Sequence, residues 1–218
     1  MTTDRRPSGA PVWDGGWYRY ARRLPSPNFG PRPRDARVDL LVLHSISLPP
    51  GHYGGKQVQA LFTNQLDWNA HPYFKQIEGL QVSAHFFIER QGDLWQFVSC
   101  DARAWHAGTS SHRGRENCND FSIGIELEGL EGECFEPSQY EALQALVPAI
   151  AQHYPLTAVA GHEHIAPGRK ADPGAGLDWQ LLQDSLGLGP AYFPADVQIK
   201  KQQLKPPTGQ KTADVAAT

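Results

Sequence analysis

The apolar run from Val38 to Ile46 constrains this chain more than any other stretch. It has no consistent polar side to turn toward water. It therefore reads as a strand buried on both faces, which requires further layers above and below its sheet. The neighbouring patterns supply them. Gly55 to Asn64 spaces Val58, Leu61 and Phe62 at helical intervals. Ser83 to Glu89 and Leu94 to Val98 flank Gln91-Gly92-Asp93, which predicts a hairpin. Phe121 to Leu127 alternates, with Phe121, Ile123, Ile125 and Leu127 on one face and Ser122, Gly124, Glu126 and Glu128 on the other. Pro137 to His153 carries a helical pattern, with Ser138 as its expected N-cap and Pro148 as an expected kink. Ala158 to Ile165 predicts a last strand and Asp178 to Leu186 a last helix. Strands and helices interleaved in this way predict an α/β (α+β) fold, a single domain with a central mixed β-sheet flanked by helices.

A chain of 218 residues suits one domain with a substantial core. Residues 1–20 read as an irregular N-terminal arm in which Trp13, Trp17, Tyr18 and Tyr20 pack partly on the core. The domain itself is expected over 21–190. Residues 191–218 read as a disordered tail, with Tyr192 and Phe193 docking locally. A formal net charge of -3, with no long Lys/Arg run, argues against a nucleic-acid partner. The three cysteines, Cys100, Cys118 and Cys134, are odd in number and lack CxxC spacing, which predicts free thiols in a reducing compartment. The first twenty residues lack an apolar signal-peptide core. No apolar segment reaches the ~20 residues of a membrane span. A cytoplasmic protein with no membrane partner is the expectation.

The chemistry gathers in the segment Gly161-His162-Glu163-His164-Ile165-Ala166-Pro167-Gly168-Arg169-Lys170-Ala171-Asp172-Pro173-Gly174, with His44 far upstream at the end of the first apolar run. Two imidazoles and a carboxylate make a three-ligand set for zinc with a fourth position for water. His162 and His164, two apart on the expected strand, share a face. Each signal is modest alone, since Asp-Pro-Gly is also a common turn and strand histidines often only hydrogen-bond. Glu126 and Glu128 share the polar face of their strand, and either suits a general base. Lys170 is placed to stabilise an oxyanion. GxGxxG, P-loop, HExxH and GxSxG motifs are absent, which removes support for nucleotide, zincin and α/β-hydrolase chemistry.

Several stretches together resemble the amidase-2, or peptidoglycan-recognition, family, in its branch of anhydro-N-acetylmuramyl-L-alanine amidases. They are Ser26–Phe29, Leu43–Pro50, Val82–His85, Ala104–Gly108, Asn117–Gly129 and the closing loop. The resemblance spans roughly residues 17–190 and makes 21–190 a zinc amidase domain. It implies Zn2+ bound by His44, His162 and Asp172, with Glu126 as base and Lys170 as stabiliser of the tetrahedral intermediate. It also implies substrate contacts from Trp105, to sugar or lactyl, and from Arg169, to a carboxylate. The implied substrate is a 1,6-anhydro-muropeptide of peptidoglycan recycling, cut between lactyl group and L-alanine by a monomer. A broader cell-wall amidase and a non-catalytic peptidoglycan-binding module are the rival readings. Ser45 stands where that branch usually has asparagine, and His164 where an acidic residue is expected.

Overall fold

The computed structural model describes residues 11–194. It opens with a hairpin of β1 (Trp13–Asp14) and β2 (Trp17–Tyr18), then β3 (Arg22–Arg23) and β4 (Phe29–Gly30). The apolar run forms β5 (Leu40–Ile46), followed by α1 (Gln57–Phe62) and α2 (Pro72–Gln76). β6 (Phe86–Ile88) and β7 (Leu94–Gln96) form the predicted hairpin. β8 (Arg103–Ala104) pairs back to β4, and β9 (Ser111–His112) pairs with β10 (Arg115–Glu116). β11 (Ser122–Glu128), α3 (Pro137–His153), β12 (Ala158–Gly161), α4 (His162–Ile165) and α5 (Trp179–Leu186) complete the domain.

The central sheet has six strands in the order β12-β5-β11-β6-β7-β3. Only β6 and β7 pair antiparallel within it, so the sheet is mixed, as expected. Both of its faces are covered. On one, Leu41, Leu43, Ile123, Ile125 and Leu127 pack with Leu143, Leu146, Val147 and Ile150 of α3. Each such buried side chain contributes about 1.5–3 kcal/mol of burial free energy. On the other face Leu40, Val42, Ala158 and Ala160 pack with Ala107, Phe121 and Ile165. Following that second face toward the carboxyl ends of the strands, the side chains change from apolar to His44 and Glu126. The core therefore ends where the chemistry begins.

Residues 1–10 of the expected arm lie outside the described part, and within 11–20 aromatic side chains pack on the core. Tyr18 is buried, Trp13 donates to the Ala149 carbonyl at 3.3 Å, and its ring stacks on His153. Phe193 is buried beside Trp179, while residues 195–218 of the expected tail lie outside the described part. The three cysteines are free.

Two local expectations need correction. Glu136, not Ser138, caps α3, because Pro137 takes the first helical position and Gln139 Oε1 accepts the Glu136 N–H at 3.0 Å. Ser138 instead donates to the Arg90 carbonyl, and α3 continues through Pro148. The predicted last strand also stops at Gly161. His162–Ile165 is a helical turn, secured when His164 Nδ1 accepts the Gly161 N–H at 2.9 Å. His162 and His164 therefore do not share a strand face.

Candidate active site

Parallel pairing brings the site together at the carboxyl ends of three adjacent strands, where open α/β sheets commonly bind ligands. In the register of β5 and β11, His44 lies opposite Glu126. In the register of β5 and β12, Leu43 lies opposite Gly161, so His162 follows level with His44. Asp172 arrives from the loop after α4. That loop folds back when Arg169 and Lys170 N–H groups donate to the Ala166 carbonyl and Glu163 N–H donates to the Asp172 carbonyl.

His44 Nδ1 lies 2.9 Å from His162 Nδ1 and 3.3 Å from Asp172 Oδ2, and His162 Nδ1 lies 3.0 Å from Asp172 Oδ2. Ligand atoms about 2.0–2.1 Å from a tetrahedral zinc stand ~3.3 Å from one another, so the triangle is near the right size. Its chemistry also fits. His162 Nε2 lies 3.0 Å from the Ala107 carbonyl, which can only accept, and this places the proton there and a bare lone pair on Nδ1. Arg169 Nη2 also approaches Nε2, but its short bond is to the same Ala107 carbonyl, so both groups donate to one acceptor. Two nitrogens and one carboxylate oxygen, all on buried or half-buried side chains, form a group that could hold a metal ion. Burial lowers the His44 imidazole to about 4, partly offset by Asp172, which keeps the ring neutral as a ligand must be. Burial alone would raise the Asp172 carboxyl, but His162 and His44 hold it far below its usual range.

Glu126 is buried beside this group, and its Oε2 has no hydrogen-bond partner among the described residues. Burial, with Asp172 nearby, raises its carboxyl well above the ordinary value, and Lys170 opposes that. Glu128 differs: it is 2% exposed and accepts from Gly54 N–H at 2.6 Å and Arg90 N–H at 3.0 Å. A solvated Glu128 is therefore ruled out; its carboxylate is committed to the fold. Lys170, Trp105, Ser45 and Glu126 line the same cleft as His162 and Asp172. Tyr73, Ile77, Leu80 and Val82 supply an apolar wall.

Arg169 fastens the loop through Nε to the Thr109 carbonyl and Nη2 to the carbonyls of Ala107 and Thr109. His164 packs its ring edge against Trp179 and is outside the metal group. Sequence reasoning missed His106, whose Nδ1 lies 2.9 Å from His44 Nε2. The signal was there: a small Gly124 opposite a buried histidine, readable only once the pairing of distant segments is known.

Two imidazoles and a carboxylate that could hold a metal ion, with a buried glutamate beside them, are a donor set that suits metal-assisted hydrolysis. The N-acetylmuramoyl-L-alanine amidase family model matches residues 34–175, and the chain belongs to that family. It is 54% identical over 168 residues to the 1,6-anhydro-N-acetylmuramyl-L-alanine amidase AmpD of Citrobacter freundii, covering 76% of this chain and 90% of that protein. A crystal structure of a selenomethionine AmpD derivative is similar at a TM-score of 0.78 and 51% identity, covering 79% of this chain and 98% of the other. The amidase AmiD of Escherichia coli, solved with anhydro-N-acetylmuramic acid-L-Ala-D-gamma-Glu-L-Lys, is similar at a TM-score of 0.52 and 30% identity, covering 72% and 61%.

Proposed function

We propose that this protein is a zinc-dependent N-acetylmuramoyl-L-alanine amidase. Its reaction cuts the amide between the lactyl group of a 1,6-anhydro-muropeptide and L-alanine, during peptidoglycan recycling in the cytoplasm. The observation that carries this is the convergence of His44 Nδ1, His162 Nδ1 and Asp172 Oδ2 beside Glu126. Support for the substrate comes from the relatives named above, and among the described residues no helix is long and apolar enough to cross a membrane. Residues 21–190 are the catalytic unit, acting as a monomer.

His44, His162 and Asp172 would hold the ion. Zinc in such a site lowers the pKa of water to ~7 and polarises a substrate carbonyl. Glu126 takes the water's proton and later delivers it to the leaving amide nitrogen. Its raised carboxyl makes it a stronger base than an ordinary glutamate, as a group that takes up and hands on a proton needs. Lys170 offers positive charge where the carbonyl oxygen becomes an oxyanion. Trp105 packs on the sugar or lactyl group. Arg169, with Nε and Nη2 engaged, turns Nη1 to a stem-peptide carboxylate.

The test is purified zinc-loaded protein incubated with an anhydro-muropeptide and, separately, with intact sacculi. Release of the anhydro-sugar from the first, abolished by chelation, is expected. Preference for sacculi would move the protein to a broader cell-wall amidase, and binding without cleavage would make it a recognition module.

A further inference from the structure

We propose that His106 is the positioning residue for His44, acting as the middle of a hydrogen-bond chain that begins at Ser122 and dictates which nitrogen His44 offers the metal. The inference rests on reading His44, His162 and Asp172 as a metal set. Each bond's direction follows from the atoms involved. The Cys118 carbonyl can only accept, so Ser122 Oγ gives it its single proton at 2.6 Å. Ser122 Oγ therefore accepts at its other contact, 3.2 Å from His106 Nε2. With its one proton on Nε2, the neutral His106 ring presents Nδ1 as an acceptor. His44 Nε2, 2.9 Å away, must donate to it. That leaves a bare lone pair on His44 Nδ1, the atom 2.9 Å from His162 Nδ1 and 3.3 Å from Asp172 Oδ2. Partners of this kind orient a ligand and raise its basicity.

Several features hold His106 to this task. Asn119 Oδ1 accepts the backbone N–H groups of His106 at 3.1 Å and Ala107 at 2.8 Å. Gly124 leaves the space that the ring fills, since a Cβ there would stand 2.5 Å from His106 Cγ. The next residue serves the second imidazole, because the Ala107 carbonyl accepts from His162 Nε2 at 3.0 Å. Residues 106 and 107 thus orient both ligand histidines from one segment.

Zinc affinity, measured by competition with a chromophoric chelator, tests the chain in wild type, His106→Leu, His106→Asn and Ser122→Ala. Metal-free melting curves on each separate folding from binding. His106→Leu should weaken zinc binding ~10–100-fold. His106→Asn should recover most of it, since its Oδ1 can accept from His44. Ser122→Ala should lose affinity in the same direction, because His106 then has no acceptor holding its proton on Nε2. In zinc-loaded wild type, nitrogen-15 shifts should show the His44 proton on Nε2 and none on Nδ1. Unchanged affinity in His106→Leu, an asparagine variant as weak as the leucine one, or a proton on His44 Nδ1 each overturns the proposal. If His106→Leu does not fold, Ser122→Ala and the wild-type tautomer decide it. Wild type that binds no zinc overturns the metal reading itself, a result distinct from these.

Discussion

Glu126 and Glu128 lie two residues apart on the same face of β11, both buried, yet their surroundings have nothing in common. Around Glu128 the fold closes. Its carboxylate takes backbone N–H groups from the loop at Gly54 and from Arg90 after β6, tying both to the end of the sheet. Around Glu126 the fold stays open. One carboxylate oxygen has no partner among the described residues, and its neighbours Lys170 and Asp172 line the cleft. Partnered burial stabilises a fold, whereas a partnerless buried carboxyl costs stability and marks a place where chemistry needs it. One strand thus carries a structural end and, in the proposed function, a reactive end.

Substitutions can sharpen or break that contrast. Asp172→Ala should have the largest effect, releasing zinc and abolishing amide cleavage; full activity in a zinc-free variant would end the metal assignment. Glu126→Ala should keep its zinc but lose about 10²–10⁴-fold in kcat, checked by steady-state rates beside metal analysis. Lys170→Met should lower kcat by roughly 10²–10³-fold with zinc content unchanged, the scale of removing one oxyanion donor. Glu128→Ala should cost about 1–3 kcal/mol in denaturant unfolding, since two backbone N–H groups lose their buried carboxylate acceptor, while zinc binding survives.

The smallest effect is in the acid response of the metal-free protein. His44, His85 and His106 are all pushed down by burial, so between their folded values and about 6.5 the unfolded chain binds protons that the folded chain does not. Stability therefore falls as pH drops through that window. Glu126, pushed up, titrates in the opposite sense and opposes that loss. The acid loss, read by denaturant unfolding at about pH 7.5 and 6.0, should be larger in Glu126→Ala than in wild type. An acid loss no larger in Glu126→Ala than in wild type would contradict the raised carboxyl.

Local patterns in the chain made the fold legible where burial dictates residue type. The β5 run, the alternation of β11 and the spacing of α3 each state which faces meet the core. The helical turn at His162 was not legible, because it depends on His164 accepting the Gly161 N–H and on Asp172 returning through its carbonyl. Those are pairings across a loop, and no periodicity records them. The candidate ligands and Glu126 were readable as residue types, but Glu126 and Glu128 were equivalent by alternation alone. Gly54 and Arg90 distinguish them, and both come from distant segments. His106 was hidden for the same reason, since it lies in the loop after β8 while its partners Ser122 and Gly124 lie on β11.

The most direct test measures kcat on an anhydro-muropeptide and unfolding free energy together, in zinc-loaded Glu126→Ala and Glu128→Ala. A crossed result is predicted: Glu126→Ala loses at least ~10²-fold in kcat at little or no cost in stability, while Glu128→Ala loses stability and retains most of its rate. A crippled kcat in Glu128→Ala alongside a near-normal rate in Glu126→Ala would contradict the account.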